Sequence, residues 1–305
     1  MSSNNTMKPP EYLRELVEDR LRKKAVEWTI PECGLSAAYR FSVTFTDHSS
    51  VFVKAATDAP TSDWLRREHL VLSSVEAPFL PRLIDWIDIP GTDPVLLTQD
   101  LSGAYWPAGA LGVHWRPGDM ERLFQGLNSV AACSALPGLP ALGNGPLCCW
   151  PGIAADPGSF LALRLCTEHW FRKAVDVLTA AEPLADRSGD QLVHGDVRSD
   201  NICFVGDQVV FVDWSHAAGG NADADLALLL PTLHLEGGPL PSEIMPGGGN
   251  ISAAQCSQHF MRLQQDHLMP PWLKTVFIKL IAITLEWAAD GLELGKPDGI
   301  SWHSL

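Results

Sequence analysis

The stretch L-V-H-G-D-V-R-S-D-N-I-C-F-V-G-D-Q-V-V-F-V-D, Leu192 to Asp213, decides how this chain is read. It reduces to His194-x-Asp196-x-x-x-x-Asn201, followed by two short apolar runs, Ile202–Phe204 and Val209–Val212, joined by a turn at Gly206-Asp207. A hairpin of that length returns Asp213 to the side on which Asn201 began. Three oxygen-bearing side chains can then gather around one metal–nucleotide complex. Asp196 suits a base that orients an attacking hydroxyl and accepts its proton. Asn201 and Asp213 offer the hard oxygen donors that Mg2+ prefers. Arg198 could reach a transferring phosphoryl group as a cation. Each of these types is common in loops, and a surface hairpin after a polar loop would use them too. The full set at this spacing argues for phosphoryl transfer.

The H-G-D-x-x-x-x-N run with F-V-D at a strand end resembles the aminoglycoside phosphotransferase family, the antibiotic-kinase branch of the protein-kinase-like superfamily. It is similar in kind to the H-R-D and D-F-G signatures of protein kinases. Gly195 stands where those usually carry Arg, Trp214-Ser215 replaces Phe-Gly, and no A-P-E sequence follows. That Arg normally answers a phosphorylated activation loop, so its absence points away from a regulated protein kinase. The resemblance implies an α+β, protein-kinase-like two-lobed fold. Its N-terminal lobe, residues 1–98, would be a small antiparallel β-sheet with helices. Its C-terminal lobe, residues 99–305, would be mainly helical, with ATP and Mg2+ between the two.

Other parts of the chain fit that frame. Glu11–Leu21 has helical spacing. Val26–Ile30, Tyr39–Thr46, Ser50–Ala55, Leu83–Asp88 and Val95–Thr98 read as strands. Lys54 lies in the apolar strand Val51–Ala55, where a lysine is costly unless paired. It resembles the strand lysine that contacts the α- and β-phosphates; a lysine on an edge strand, pointing to water, is the alternative. The spacing predicts a helix over 62–75, capped by Ser62 or Asp63, with Arg66 and Arg67 toward solvent. Glu68 shares its face with Leu65 and Leu72 and is the expected partner of Lys54. The loop Pro31–Ala38, Ser36 among its small residues, could bring amides to phosphate oxygens or be an ordinary hairpin turn. By resemblance, the Gln99 carbonyl and the Leu101 amide hold the adenine edge, and Asp225, in D-L-A, supports the catalytic loop. His216 suits a surface histidine better than a phosphate contact, and His234 has no partner at zinc spacing.

Farther along, the pattern predicts helices over 117–135, 160–181, 252–265 and 272–291, with Gly/Pro-rich loops over 136–158 and 236–250. Glu286 and Asp290, four apart, share a helix face. The family often recruits carboxylates from its last helices to bind substrate amino groups, so these two are the candidate substrate contacts; a solvated face is the alternative.

Composition limits the partners. Of 305 residues, 46% are hydrophobic and 19% charged, enough for a buried core. Net charge is −14: residues 1–98 carry 14 acidic and 11 basic side chains (−3), residues 99–305 carry 22 and 11 (−11). That argues against nucleic acid as a partner and would suit a cationic small-molecule hydroxyl substrate, although solubility charge looks the same. Seven cysteines, an odd number without C-x-x-C, suit a reduced cytoplasmic chain. The polar N-terminus is no signal peptide, and no apolar run could span a membrane. Three functions compete: an antibiotic kinase, a metabolic kinase of an amino alcohol, sugar or similar hydroxyl compound, and a nucleotide-binding scaffold without turnover.

Overall fold

A computed structural model describes residues 8–31, 37–143 and 148–305. In chain order its elements are α1 (Glu11–Leu21), β1 (Ala25–Thr29), β2 (Tyr39–Phe45), β3 (Ser50–Ala55), α2 (Ala59–Ser74), β4 (Leu83–Ile87), β5 (Val95–Gln99), β6 (Ala108–Gly109), β7 (Gly112–Val113) and α3 (Asp119–Ala131). There follow α4 (Trp150–Ala155), α5 (Gly158–Leu161), α6 (Glu168–Ala181), β8 (Gln191–Val193), β9 (Ile202–Val205), β10 (Gln208–Phe211), β11 (Ala218–Gly220), α7 (Asp223–Leu235), α8 (Pro241–Ile244), α9 (Gly249–Gln265) and α10 (Pro271–Gly291). The chain packs as two compact units, residues 1–140 with 191–219, and residues 141–190 with 220–305.

The first unit is built on an antiparallel five-stranded sheet in the order β1-β2-β3-β5-β4. Alternation along β2 and β3 sends Phe41, Val43, Val51 and Val53 to one face, where Leu13 and Val17 of α1 complete a core. Lys54 takes the opposite face. Because β3 is central in the sheet, Lys54 is not an edge-strand lysine. Helix α2 starts earlier than its pattern suggests. Asp58 caps it, accepting the Thr61 N–H at 2.8 Å, while the Thr61 hydroxyl oxygen accepts the Asp58 N–H at 3.0 Å. Ser62, expected as the cap, lies inside and donates its hydroxyl to the Asp58 carbonyl at 2.8 Å. Leu65, Glu68, Val71 and Leu72 are its buried face.

The stretch Leu192–Asp213 forms the hairpin its sequence indicates. Ile202 pairs with Phe211 and Val205 with Gln208. The Val212 N–H donates to the Asn201 carbonyl at 3.0 Å, so Asp213 does return beside Asn201. Two backbone hydrogen bonds join Tyr105 to Phe204 on β9, at 2.8 and 3.0 Å. On the other side, α3 packs against β10 at Gly126, where a Cβ would fall 2.3 Å from a Val209 methyl carbon. Any larger residue would push the helix off the hairpin.

The second unit is helical. Trp150, Phe160, Phe171 and Phe260 meet in its core with Leu178, Ile281 and Leu285. Buried Glu182 ties α4 to α9: it accepts the Trp150 N–H at 3.0 Å and the Ser257 hydroxyl. The helix expected over 160–181 is two pieces, α5 and α6. Arg164 between them has φ +58, a left-handed conformation that ends a helix, and Thr167 caps the second, accepting the Trp170 N–H at 3.2 Å. The expected loops over 136–158 and 236–250 contain α4 and α8, and α7 runs on through Pro231. No helix among the described residues is long and apolar enough to cross a membrane.

Candidate active site

The first unit gathers the predicted residues at one place. Lys54 Nζ donates to both Glu68 carboxylate oxygens, at 2.9 and 2.8 Å, and to Asp213 Oδ1 at 3.2 Å. Glu68 is buried and Lys54 nearly so. Burial opposes the lysine's charge, but the Asp213 and Glu68 carboxylates outweigh it and hold its pKa above the ordinary lysine value. The same ammonium holds the Asp213 carboxyl far below the usual carboxylate range. Burial raises the Glu68 carboxyl above its ordinary value, while the Lys54 ammonium acts against it.

Asp213 has φ +65, uncommon outside glycine. It ends the strand and begins a 3-10 turn, Trp214–His216. Asn201 turns its amide N–H2 to Asp196, donating to the main-chain carbonyl at 2.9 Å and to Oδ2 at 3.0 Å. Burial raises the Asp196 carboxyl above its ordinary value, while the Arg198 and His216 charges act against it. Arg198 is half exposed. Its guanidinium lies 3.2 Å from Asp196 Oδ1 and 3.2 Å from Asp200 Oδ2.

His194 holds the loop from beneath. Its Nε2–H donates to the Val212 carbonyl at 3.0 Å, and its Nδ1 accepts the Asp196 N–H at 3.2 Å. Burial lowers its pKa to about 4, which keeps it neutral in this tautomer. Gly195 has φ +79, and a Cβ there would sit 2.4 Å from the His216 carbonyl oxygen. The loop approaches the post-Asp213 turn so closely that position 195 excludes every side chain.

These groups suit Mg2+ held through a nucleotide. Asn201 keeps its amide oxygen and Asp213 its second carboxylate oxygen for a hard cation. No group of three or more His, Cys, Asp or Glu side chains that could hold a metal by themselves occurs among the described residues. Mg2+ commonly takes one or two protein oxygens and completes its shell with phosphates and water.

The segment after β5 is fixed by its own contacts. The Gln99 N–H donates to the Arg82 carbonyl at 2.8 Å. The Leu101 carbonyl accepts from Trp106 Nε1 at 3.0 Å and from the Ala104 N–H at 2.9 Å, and its side chain is buried with Cys203 and Val210. Ser36 lies outside the described residues. In the second unit, Glu286 and Asp290 line one cavity of about 510 Å3 with Glu293, Lys296 and Trp302. Asp225 is buried in the first turn of α7, His216 is exposed, and His234 donates Nδ1–H to the Gly238 carbonyl at 3.1 Å.

Residues 121–245 match the family model of APH, the phosphotransferase enzyme family. Spectinomycin phosphotransferase APH(9)-Ia, solved with ADP and spectinomycin, superposes with a TM-score of 0.60 at 12% identity, over 92% of this chain and 99% of that one. The match makes residues 121–245 similar to that family, and the superposition shows that the chain has the fold of these phosphotransferases. The GDP and kanamycin complex of APH(2″)-IIIa follows with a TM-score of 0.55 at 15% identity, over 93% and 97%. A Thermobifida fusca protein assigned as a fructosamine-3-kinase reaches 0.51 at 18% identity, over 91% and 99%. No curated protein matches the sequence. The fold of this chain is α+β and kinase-like.

One member of the site escapes the sequence. Arg67, expected to face solvent, donates Nη1–H to the Ser215 carbonyl at 3.0 Å. Its partner lies far along the chain, so no local spacing announces it.

Proposed function

We propose that this protein is a phosphotransferase that moves the γ-phosphate of ATP to a hydroxyl of a small molecule, with residues 1–98 as nucleotide lobe and 99–305 as catalytic and substrate lobe. The convergence of Glu68, Lys54 and Asp213 on one ammonium, in the unit that also holds Asp196 and Asn201, carries this reading. Lys54, fixed by Glu68, binds α- and β-phosphate oxygens. Gln99 and Leu101 offer the main-chain edge to the base, and Ser36 lies in the loop toward the phosphates. Asp196, oriented by Asn201, holds the acceptor hydroxyl and takes its proton. Arg198, swinging from Asp196, offers positive charge to the transferred group. Mg2+, when bound by Asn201 and Asp213, supplies charge neutralisation between the phosphate oxygens.

We read the acceptor as an aminoglycoside or other cationic antibiotic. The excess of acidic groups in residues 99–305 and the carboxylates Glu286 and Asp290 on one cavity wall support this, as do the spectinomycin and kanamycin complexes of proteins with this fold. The T. fusca structure favours the second reading, a metabolic kinase. The six described cysteines are unpaired, as suits a cytoplasmic enzyme. The test is ADP release with Mg-ATP across aminoglycosides, cationic peptide antibiotics, choline, sugars and nucleosides. Turnover on a cationic antibiotic that Asp196→Ala abolishes supports the first reading. Turnover on metabolites alone moves the assignment to the second, and ATP binding without turnover on any of them leaves a scaffold.

A further inference from the structure

The geometry points to Arg67 as a positioning residue for Asp213, acting through the turn that follows it. This rests on the reading of Asp213 as a metal ligand. Helix α2 meets that turn with Trp64, Arg67 and Glu68, positions i, i+3 and i+4 of one face. The Trp64 ring centroid lies 6.1 Å from that of His216. Arg67 donates to the Ser215 carbonyl at 3.0 Å, and Glu68 holds Lys54, which in turn meets Asp213. Two of the three residues of the 3-10 turn, Ser215 and His216, are thus touched by one helix face.

Asp213 needs such restraint. A non-glycine residue at φ +65 persists only where its surroundings over-determine it. From the opposite side, the turn is met by Gly195, whose contact with the His216 carbonyl leaves no room for a Cβ. Arg67 contributes the one charged donor that α2 gives to a main-chain oxygen of the turn. Arg66 beside it does something different: it is exposed and pairs with Asp88 at 2.9 Å, as an ordinary surface arginine would. Neither the Lys54 ammonium nor the hairpin register depends on Arg67. Its loss should therefore loosen the direction of the Asp213 carboxylate and weaken metal binding more than nucleotide binding.

The test uses the full chain saturated with ADP and Mn2+ as the metal probe, with free Mn2+ read by electron paramagnetic resonance. Arg67→Met keeps the length and removes the donors; Arg67→Lys keeps charge and one donor direction. Loss of a charge-assisted hydrogen bond corresponds to about a tenfold weaker Mn2+ affinity in Arg67→Met, with Arg67→Lys in between. Metal-free ADP affinity should stay within about twofold, since the groups assigned to the base and the phosphates are untouched. Mn2+ affinity equal to wild type in either folded variant overturns the inference, even if melting temperature falls. Should Arg67→Met not fold, Arg67→Lys decides alone by the same criterion. Asp213→Asn separates the two layers. Lost Mn2+ binding there, with unchanged binding in the Arg67 variants, overturns the role of Arg67 only. Wild-type binding in Asp213→Asn overturns the metal reading and this inference with it.

Discussion

Asn201 grips Asp196 twice, donating to its main-chain carbonyl at 2.9 Å and to its carboxylate at 3.0 Å. One amide thus fixes both the path of the loop and the direction of the acid. Replacing it by Asn201→Asp would set a second carboxylate against Asp196, whose pKa burial already raises. A like charge at that distance raises it further. A base works only when deprotonated, so kcat/KM falls as pH drops through this pKa. The acid limb of the kcat/KM profile should therefore move to higher pH in Asn201→Asp. An unmoved limb would separate Asp196 from the proton transfer.

Gly195→Ala tests the close approach of the loop to the turn. The new methyl would meet the His216 carbonyl at 2.4 Å, in a backbone conformation of φ +79 that only glycine adopts freely. Strain of about 1–3 kcal/mol is expected before the clash is counted. The melting temperature should fall and turnover should drop with it. Wild-type stability and turnover would mean that the loop relaxes without consequence.

Lys54→Met should be costly because it leaves Glu68 buried without its cation. Breaking a buried pair in this way costs about 3–5 kcal/mol. The double variant Lys54→Met with Glu68→Leu should recover most of that stability, and none of the nucleotide affinity. Equal stability of the single and double variants, by chemical denaturation, would contradict this account of the pair.

Acid should weaken the fold through its buried histidines. Burial lowers the pKa of both His194 and His259 from 6.5 to about 4. The unfolded chain therefore binds protons that the folded chain refuses. Above pH 6.5 nothing is lost; between there and about 4 stability declines, by about 3 kcal/mol for each such histidine. His194→Gln should be less stable at pH 7.5 and flatter in its dependence toward pH 5. A slope equal to wild type would show that His194 does not stay neutral in the folded protein.

The parts of the site that could be read in the sequence are those where chemistry restricts residue type within a short span. Asp196, Asn201 and Asp213 lie on one loop and one hairpin, whose strand lengths alone bring Asp213 back beside Asn201. Lys54 and Glu68 were legible because each breaks an apolar period at a buried position. Arg67 was not, because its acceptor is the main-chain oxygen of Ser215, which no side-chain pattern reports. The α2 cap was misplaced because Ser62 and Asp63 are also capping types, and only the reciprocal bonds of Asp58 and Thr61 choose among them. The break before α6 had a local signal, Thr167 followed by Glu168, which the continuous apolar period over 160–181 outweighed.

The most direct test is phosphoryl transfer with Asp196 and without its carboxylate. Wild type and Asp196→Asn would be compared for ADP release with Mg-ATP and the best acceptor of the panel, alongside ATP affinity. The asparagine keeps shape and the chance to meet Asn201, so folding and nucleotide binding should survive. Turnover should fall by about 10²–10⁴-fold. Near wild-type turnover in a variant that binds ATP normally would contradict the assignment of Asp196 as the base, and with it the central reading of the Leu192–Asp213 stretch.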